Sequence, residues 1–204
     1  MNSPLFFERY ELKFLIPGSM MEDIRSFIEP YCRLDPFCEK SPDNFYRINS
    51  LYLDSQSGIF YKKRQASVDG RFNIFTKLAT IHHVEPKVMT SYRRMAYLSE
   101  VDEYARVTFD RNLKCYEPNG FDPLPSLDLE SNYDNECLLP PDCDTVLELK
   151  STTNVPLWMV DLIRYFRLER TSFSKYCKSF QHVYKVWNDL ANRRPNDVVA
   201  IGHR

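Results

Sequence analysis

KVMTSYRRMAYLSEVDEYARVTFDRNL, residues 87–113, reads as two antiparallel strands and the turn between them. Successive side chains of a strand point to opposite faces. In Lys87–Leu98 that rule sets Tyr92 and Arg94 on one face and Met95 and Tyr97 on the other. An acidic turn, Glu100–Glu103, follows. Ala105–Leu113 then resumes the alternation, with Arg106, Thr108 and Asp110 opposed to Val107 and Phe109. Two such runs flanking a short polar turn predict a hairpin.

The same split recurs outward from the hairpin. Thr145–Lys150 (TVLELK) sets Glu148 and Lys150 against Leu147 and Leu149, and Phe6–Ile16 (FFERYELKFLI) sets Arg9, Glu11 and Lys13 against Tyr10, Leu12 and Phe14. Two readings fit four strands with one apolar face and one face carrying both signs of charge. The first is a sheet with a wet, salt-bridged side, which antiparallel sheets often have. The second closes the strands into a barrel, apolar side outward beneath helices and charged side around a hydrated channel. Arg would there grip phosphate oxygens with its planar fork and Lys as a point charge, while carboxylates held a divalent metal. Phosphoryl transfer asks a protein mainly for positioning and charge neutralisation. It would explain why no Ser-His-Asp or Cys-His arrangement stands out.

The remaining elements follow from local signals. Pro17-Gly18 ends the first strand, and Ser19 is expected to cap a helix, Met20–Tyr31, with Met21, Ile24 and Phe27/Ile28 at helical spacing. A polar loop is expected to Asn44, then a strand Tyr46–Asp54, a helical turn Ile59–Arg64, and a strand within Arg71–Thr80 after the Asp69-Gly70 turn. Residues 117–144 read as a long loop. Pro156 is expected at the first position of a helix to about Phe166, and Lys175 starts a second helix to about Asn192. One domain over 1–192 with a tail over 193–204 is the expected organisation.

Composition limits the function. With only 5 glycines a glycine-rich phosphate loop is excluded, and a formal net charge of -1 gives no overall field for nucleic acid. The six cysteines contain no C-x-x-C pair, so neither a zinc site nor a disulfide framework is indicated. Met1–Phe7 has no basic start and no long apolar run, so a cytoplasmic protein with reduced thiols is expected. His82-His83 reads as a loop pair and Lys62-Lys63-Arg64 as a solvated helical face; Trp158 and Trp187 read as core anchors.

Six segments occur in one order: FERYELKFLIP (7–17), INSLYLDS (48–55), SYRRMAYL (91–98), ARVTFD (105–110), VLELK (146–150) and SFSKYCKS (172–179). Together they resemble the VTC polyphosphate polymerase domain, a branch of the triphosphate tunnel metalloenzymes. The resemblance implies an α+β fold, an antiparallel β-barrel or tunnel covered by helices. It implies extension of inorganic polyphosphate from the γ-phosphate of ATP with Mn²⁺ or Mg²⁺. On the matching positions, Lys13, Arg94, Arg106 and Lys175 would be catalytic, and Arg9, Tyr92, Lys150 and Ser174 would bind substrate. Glu148 and Glu11 would hold the metal. A membrane partner is possible but not indicated by the sequence.

The chain departs from that pattern in GRFNIFTKLATIHHVEPKVMTSYRR, residues 70–94. Asn73 and Phe75 stand where basic residues are expected, a paired strand is missing, and Arg71 and Lys77 alone resemble the basic set. The join reads as an internal deletion. It leaves open a hydrolase of triphosphate or polyphosphate, and a module that binds polyphosphate without turning it over.

Overall fold

The computed structural model describes residues 10–65, 83–102, 104–121, 131–132, 141–152 and 154–185. Arg9, the stretch 66–82 with Arg71, Asn73, Phe75, Lys77 and His82, and Trp187 therefore lie outside the described residues.

The hairpin is present and longer than its sequence suggests. β4 (Glu85–Ser99) and β5 (Ala105–Tyr116) pair from Leu98 and Arg106 at the turn to Met89 and Tyr116 at the far end. The register slips between Ser91 and Arg93, which face Lys114 and Arg111, so β5 carries one extra residue there. Asn112 takes a left-handed φ of 52° in this bulge, a conformation Asn tolerates better than most residues. The bulge changes which β5 residues face inward. Strict alternation would put Leu113 with Phe109; instead Leu113 packs with Tyr92, in a cluster separate from that of Phe109.

β1 (Tyr10–Ile16), β7 (Thr145–Ser151) and β2 (Cys32–Leu34) complete the sheet in the order β1-β7-β5-β4-β2. β3 (Tyr46–Asp54) pairs with β4, and β6 (Ser131–Asn132) pairs with β5. All pairings are antiparallel. Register places the charged residues side by side: Lys13 faces Glu148, which faces Thr108, and Glu11 faces Lys150, which faces Arg106. The sheet curls into a half-barrel. Lys13 of β1 and Tyr52 of β3 lie on opposite flanks of the sheet yet line one cavity, so the charged face is the concave one. This is the α+β, tunnel-like fold the sequence indicates.

The convex face is apolar and covered. Phe14, Val107, Phe109, Leu147 and Leu149 pack with Ile24 and Ile28 of α1 (Met21–Ile28) and with Trp158, Met159 and Leu162 of α4 (Leu157–Tyr165). Each such side chain contributes about 1.5–3 kcal/mol on burial. The concave face has a cover as well, which the sequence does not announce. α5 (Lys175–Tyr184) lays Tyr176 and Phe180 against Tyr92, Leu113, Cys115 and Val146, filling one end of the half-barrel.

Several boundaries differ from expectation. Ser19 sits inside a 3₁₀ turn (Gly18–Met20), and α1 starts at Met21 with no side-chain cap. The expected loop to Asn44 contains β2 and α2 (Pro36–Glu39), where Asp35 accepts the Phe37 N–H as a cap and Pro36 begins the helix. Pro156 is the cap of α4 rather than its first residue. α5 ends at Tyr184, not near Asn192, because Lys185 turns left-handed with φ 51°. Of the expected strand at 71–80 nothing can be placed among the described residues.

Candidate functional site

Four elements deliver charge to one place. Lys13 and Glu11 come from β1, Arg94 and Tyr92 from β4, Glu148 and Lys150 from β7, and Ser174 and Lys175 from the start of α5; with Tyr52 and Tyr176 they line a cavity of about 260 Å³. Eight of the ten residues singled out from the sequence thus come together. Arg9 lies outside the described residues.

Arg106 is brought close but not in. Its Nη2 donates to Asp35 Oδ2 and to the Tyr46 hydroxyl, each at 3.3 Å, because Asp35 leaves β2 with one oxygen capping α2 and the other turned to the arginine. Arg106 Nε and the neighbouring Thr108 Oγ1 are buried with no partner among the described residues. Unsatisfied buried donors are uncommon. Both atoms lie on the charged face of β5.

Beneath the cavity lies a residue outside the expected site set. Asp110 is fully buried and binds both remaining deep cations. Its oxygens accept from Arg94 Nε at 2.6 Å and Nη2 at 2.7 Å, the bidentate fork geometry. Lys175 Nζ lies 2.6 Å from its Oδ2. The sequence did place Asp110 on the charged face. What it could not convey is the register Arg94↔Asp110, set by the hairpin, and the arrival of Lys175 from 65 positions further on.

Glu148 is the hub of the upper layer. Lys175 Nζ donates to Oε1 at 2.9 Å, and Lys150, Arg94 and Lys13 nitrogens approach its oxygens at 3.3, 3.6 and 3.7 Å. Burial alone would raise its pKa, but Lys175, Lys13 and Lys150 outweigh that and hold it down at about 2. Burial likewise opposes the charge on Lys175 and Arg94. Asp110 reverses this for both, and their pKa values stand above the ordinary range. Burial pushes the Tyr92 phenol up to about 12, so it stays neutral. The Lys175 ammonium sits 4.8 Å from the centre of its ring and the Arg94 guanidinium 5.3 Å.

Ser174 and Lys175 owe their place to the fold of α5. Ser174 caps the helix, its hydroxyl accepting the Cys177 N–H at 3.4 Å, and Lys175 is the first helical residue. A helix N-terminus favours an anion through its free N–H groups and dipole. Tyr176 is fixed from behind: its hydroxyl donates to Asp54, which also accepts the Phe60 and Tyr61 N–H groups at the start of α3 (Ile59–Gln65).

Four cations (Lys13, Arg94, Lys150, Lys175) face three carboxylates (Glu11, Glu148, Asp110), leaving one positive charge in excess. The site thus suits a polyanion held by cations. As a resident metal site it fits poorly. No group of three or more His, Cys, Asp or Glu able to hold an ion occurs among the described residues. Glu148 is already turned to ammonium and guanidinium groups, and Glu11 is near the rim and paired with Lys13 at 3.0 Å. Of the other residues weighed, His83 is exposed with a left-handed φ and Trp158 is buried as a core anchor. Cys32, Cys38, Cys115, Cys143 and Cys177 are buried and form no disulfide among the described residues. No helix among the described residues is long and apolar enough to cross a membrane.

A tunnel-like half-barrel with a cation-rich cavity on its concave face defines the class of protein: an α+β tunnel fold. The chain belongs to the VTC domain family, whose model matches residues 8–79 and 73–184. The family is associated with polyphosphate metabolism. The match divides within 73–79, inside the segment where the sequence departs from the family's strand pattern. A comparison with curated proteins finds no match.

Proposed function

We propose that the chain binds linear inorganic polyphosphate and the triphosphate of ATP along its concave face, and lengthens the polymer. A terminal polyphosphate oxygen attacks the γ-phosphorus, the bond to the β-phosphate oxygen breaks, and ADP leaves. The supporting observation is the convergence of Lys13, Arg94, Lys150 and Lys175, from four separate elements, on one cavity. Lys175 and Arg94, nearest the helix N-terminus, would hold the transferred phosphoryl group, while Lys13 and Lys150 hold the chain and Arg106 receives it further along. Ser174 adds a hydroxyl and Tyr92 a neutral wall. Positioned cations of this kind are what phosphoryl transfer requires. Any Mn²⁺ or Mg²⁺ would enter with the nucleotide, bound mainly by phosphate oxygens, a mode usual for Mg²⁺.

The test is incubation of the purified protein with ATP and Mn²⁺, with polyphosphate read on a gel. Polymer should accumulate with ADP; none formed removes the polymerase. Phosphate release without chain growth would instead support the hydrolase. Binding without turnover is the second reading, favoured by the division of the family match at the segment where part of the tunnel wall is expected. Tight polyphosphate binding with no nucleotide consumed would establish it.

A further inference from the structure

The reading just given leaves Asp110 without a role, although it is the most deeply placed charge in the site. It is fully buried, yet it makes the shortest contacts to Arg94 and Lys175, the two cations assigned to the transferred phosphoryl group. Its fork pairing uses Arg94 Nε and Nη2; Nη1 makes no hydrogen bond among the described residues. Lys175 has three donor hydrogens. Asp110 and Glu148 engage two, which leaves one.

We propose that Asp110 is a positioning residue and internal counter-anion. It fixes Arg94 and Lys175 so that their unused donors serve the cavity, and its charge sets how tightly the site holds polyphosphate. The inference rests on the polyphosphate-binding reading above. A carboxylate buried beneath the cavity, behind Arg94 and Lys175, repels an incoming phosphate as like charges do. Its presence therefore weakens ground-state binding while sharpening the geometry in which the two cations act. Positioning by such a residue should appear in the rate rather than in affinity.

Two substitutions separate charge from position. Asp110→Asn keeps the shape and removes the charge. It should tighten binding of tripolyphosphate, measured by calorimetry without nucleotide, by roughly tenfold, with a steeper dependence on salt. Where the wild-type protein turns over ATP, kcat should fall while KM falls as well. Asp110→Glu keeps the charge and pushes it one methylene towards the cavity, so tripolyphosphate should bind more weakly than to wild type. Unchanged or weaker binding in Asp110→Asn overturns the proposal. If that variant does not fold, judged by circular dichroism, Asp110→Glu decides, and wild-type affinity there overturns it. Wild-type protein that binds no tripolyphosphate would refute the polyphosphate reading itself. Wild-type binding with unmoved variants removes only the role of Asp110.

Discussion

Replacing Glu148 with Gln keeps the volume and one hydrogen-bond acceptor but deletes the charge on which four cations converge at 2.9–3.7 Å. The magnitude follows from linkage. A carboxyl that titrates at about 2 in the folded chain, against its ordinary 4.5, contributes about 3 kcal/mol to stability at neutral pH. The sign is that of a depressed acid. The contribution is fully present above 4.5 and is lost as pH falls towards 2. Halfway through that window, near pH 3, about 1.4 kcal/mol of it should remain. Urea unfolding of wild type and Glu148→Gln, from pH 7 downward, reads the difference directly, because other carboxylates titrate alike in both. The gap should be about 3 kcal/mol at pH 7 and should narrow to less than half by pH 3. A gap that is absent at pH 7, or that does not narrow on acidification, would show that Glu148 does not hold these cations in solution.

Arg94→Ala strips fully buried Asp110 of its bidentate partner and leaves Lys175 as its remaining cation. Truncating one side of a buried pair costs about 3–5 kcal/mol, and the surviving lysine should keep the loss near the lower end; an unchanged urea midpoint would refute the pairing. Gly58→Ala puts a Cβ 3.2 Å from Phe180 Cζ at a φ of +68°. A loss of about 1–3 kcal/mol is expected, seen as a lower melting temperature, and a wild-type melt would mean that α3 does not seat against α5 as described.

How much of this was legible in the sequence depends on the range of the interaction involved. Alternation is a local property, and Arg94, Arg106, Asp110, Glu148 and Lys150 were assigned to charged faces from it. The acidic turn located the hairpin because a chain reversal needs only its own residues. The Asn112 bulge was not legible, since nothing in RNLKCY distinguishes a bulge from regular strand until the partner's register is known. The placement of α5 was legible only in part. Its apolar stripe, Phe180, Val183 and Tyr184, shows that a face is buried but not against which side of the sheet. Long-range contacts such as Lys175 with Asp110 and Arg106 with Asp35 depend on both facts, and so the sequence could name the cations without showing which of them share a carboxylate.

That sharing bears on why the carboxylates are there. Four cations around a cavity of about 260 Å³ would repel one another, and Lys175 and Arg94 are too buried for water to shield them. Asp110 and Glu148 offset the repulsion in the empty protein. Stability alone does not account for such an arrangement, because apolar residues of similar volume commonly serve a buried site as well as ion pairs do. What apolar residues cannot provide is a set of cations already desolvated and oriented before a ligand arrives, which is the property electrostatic catalysis and polyanion binding draw on. On the proposed function the carboxylates hold Arg94 and Lys175 in the positions from which they meet the phosphate oxygens. A polyphosphate segment, bringing more negative charge than the site's excess of one, draws on the donors left over at Arg94 and Lys175 without displacing the two carboxylates that keep those donors in place.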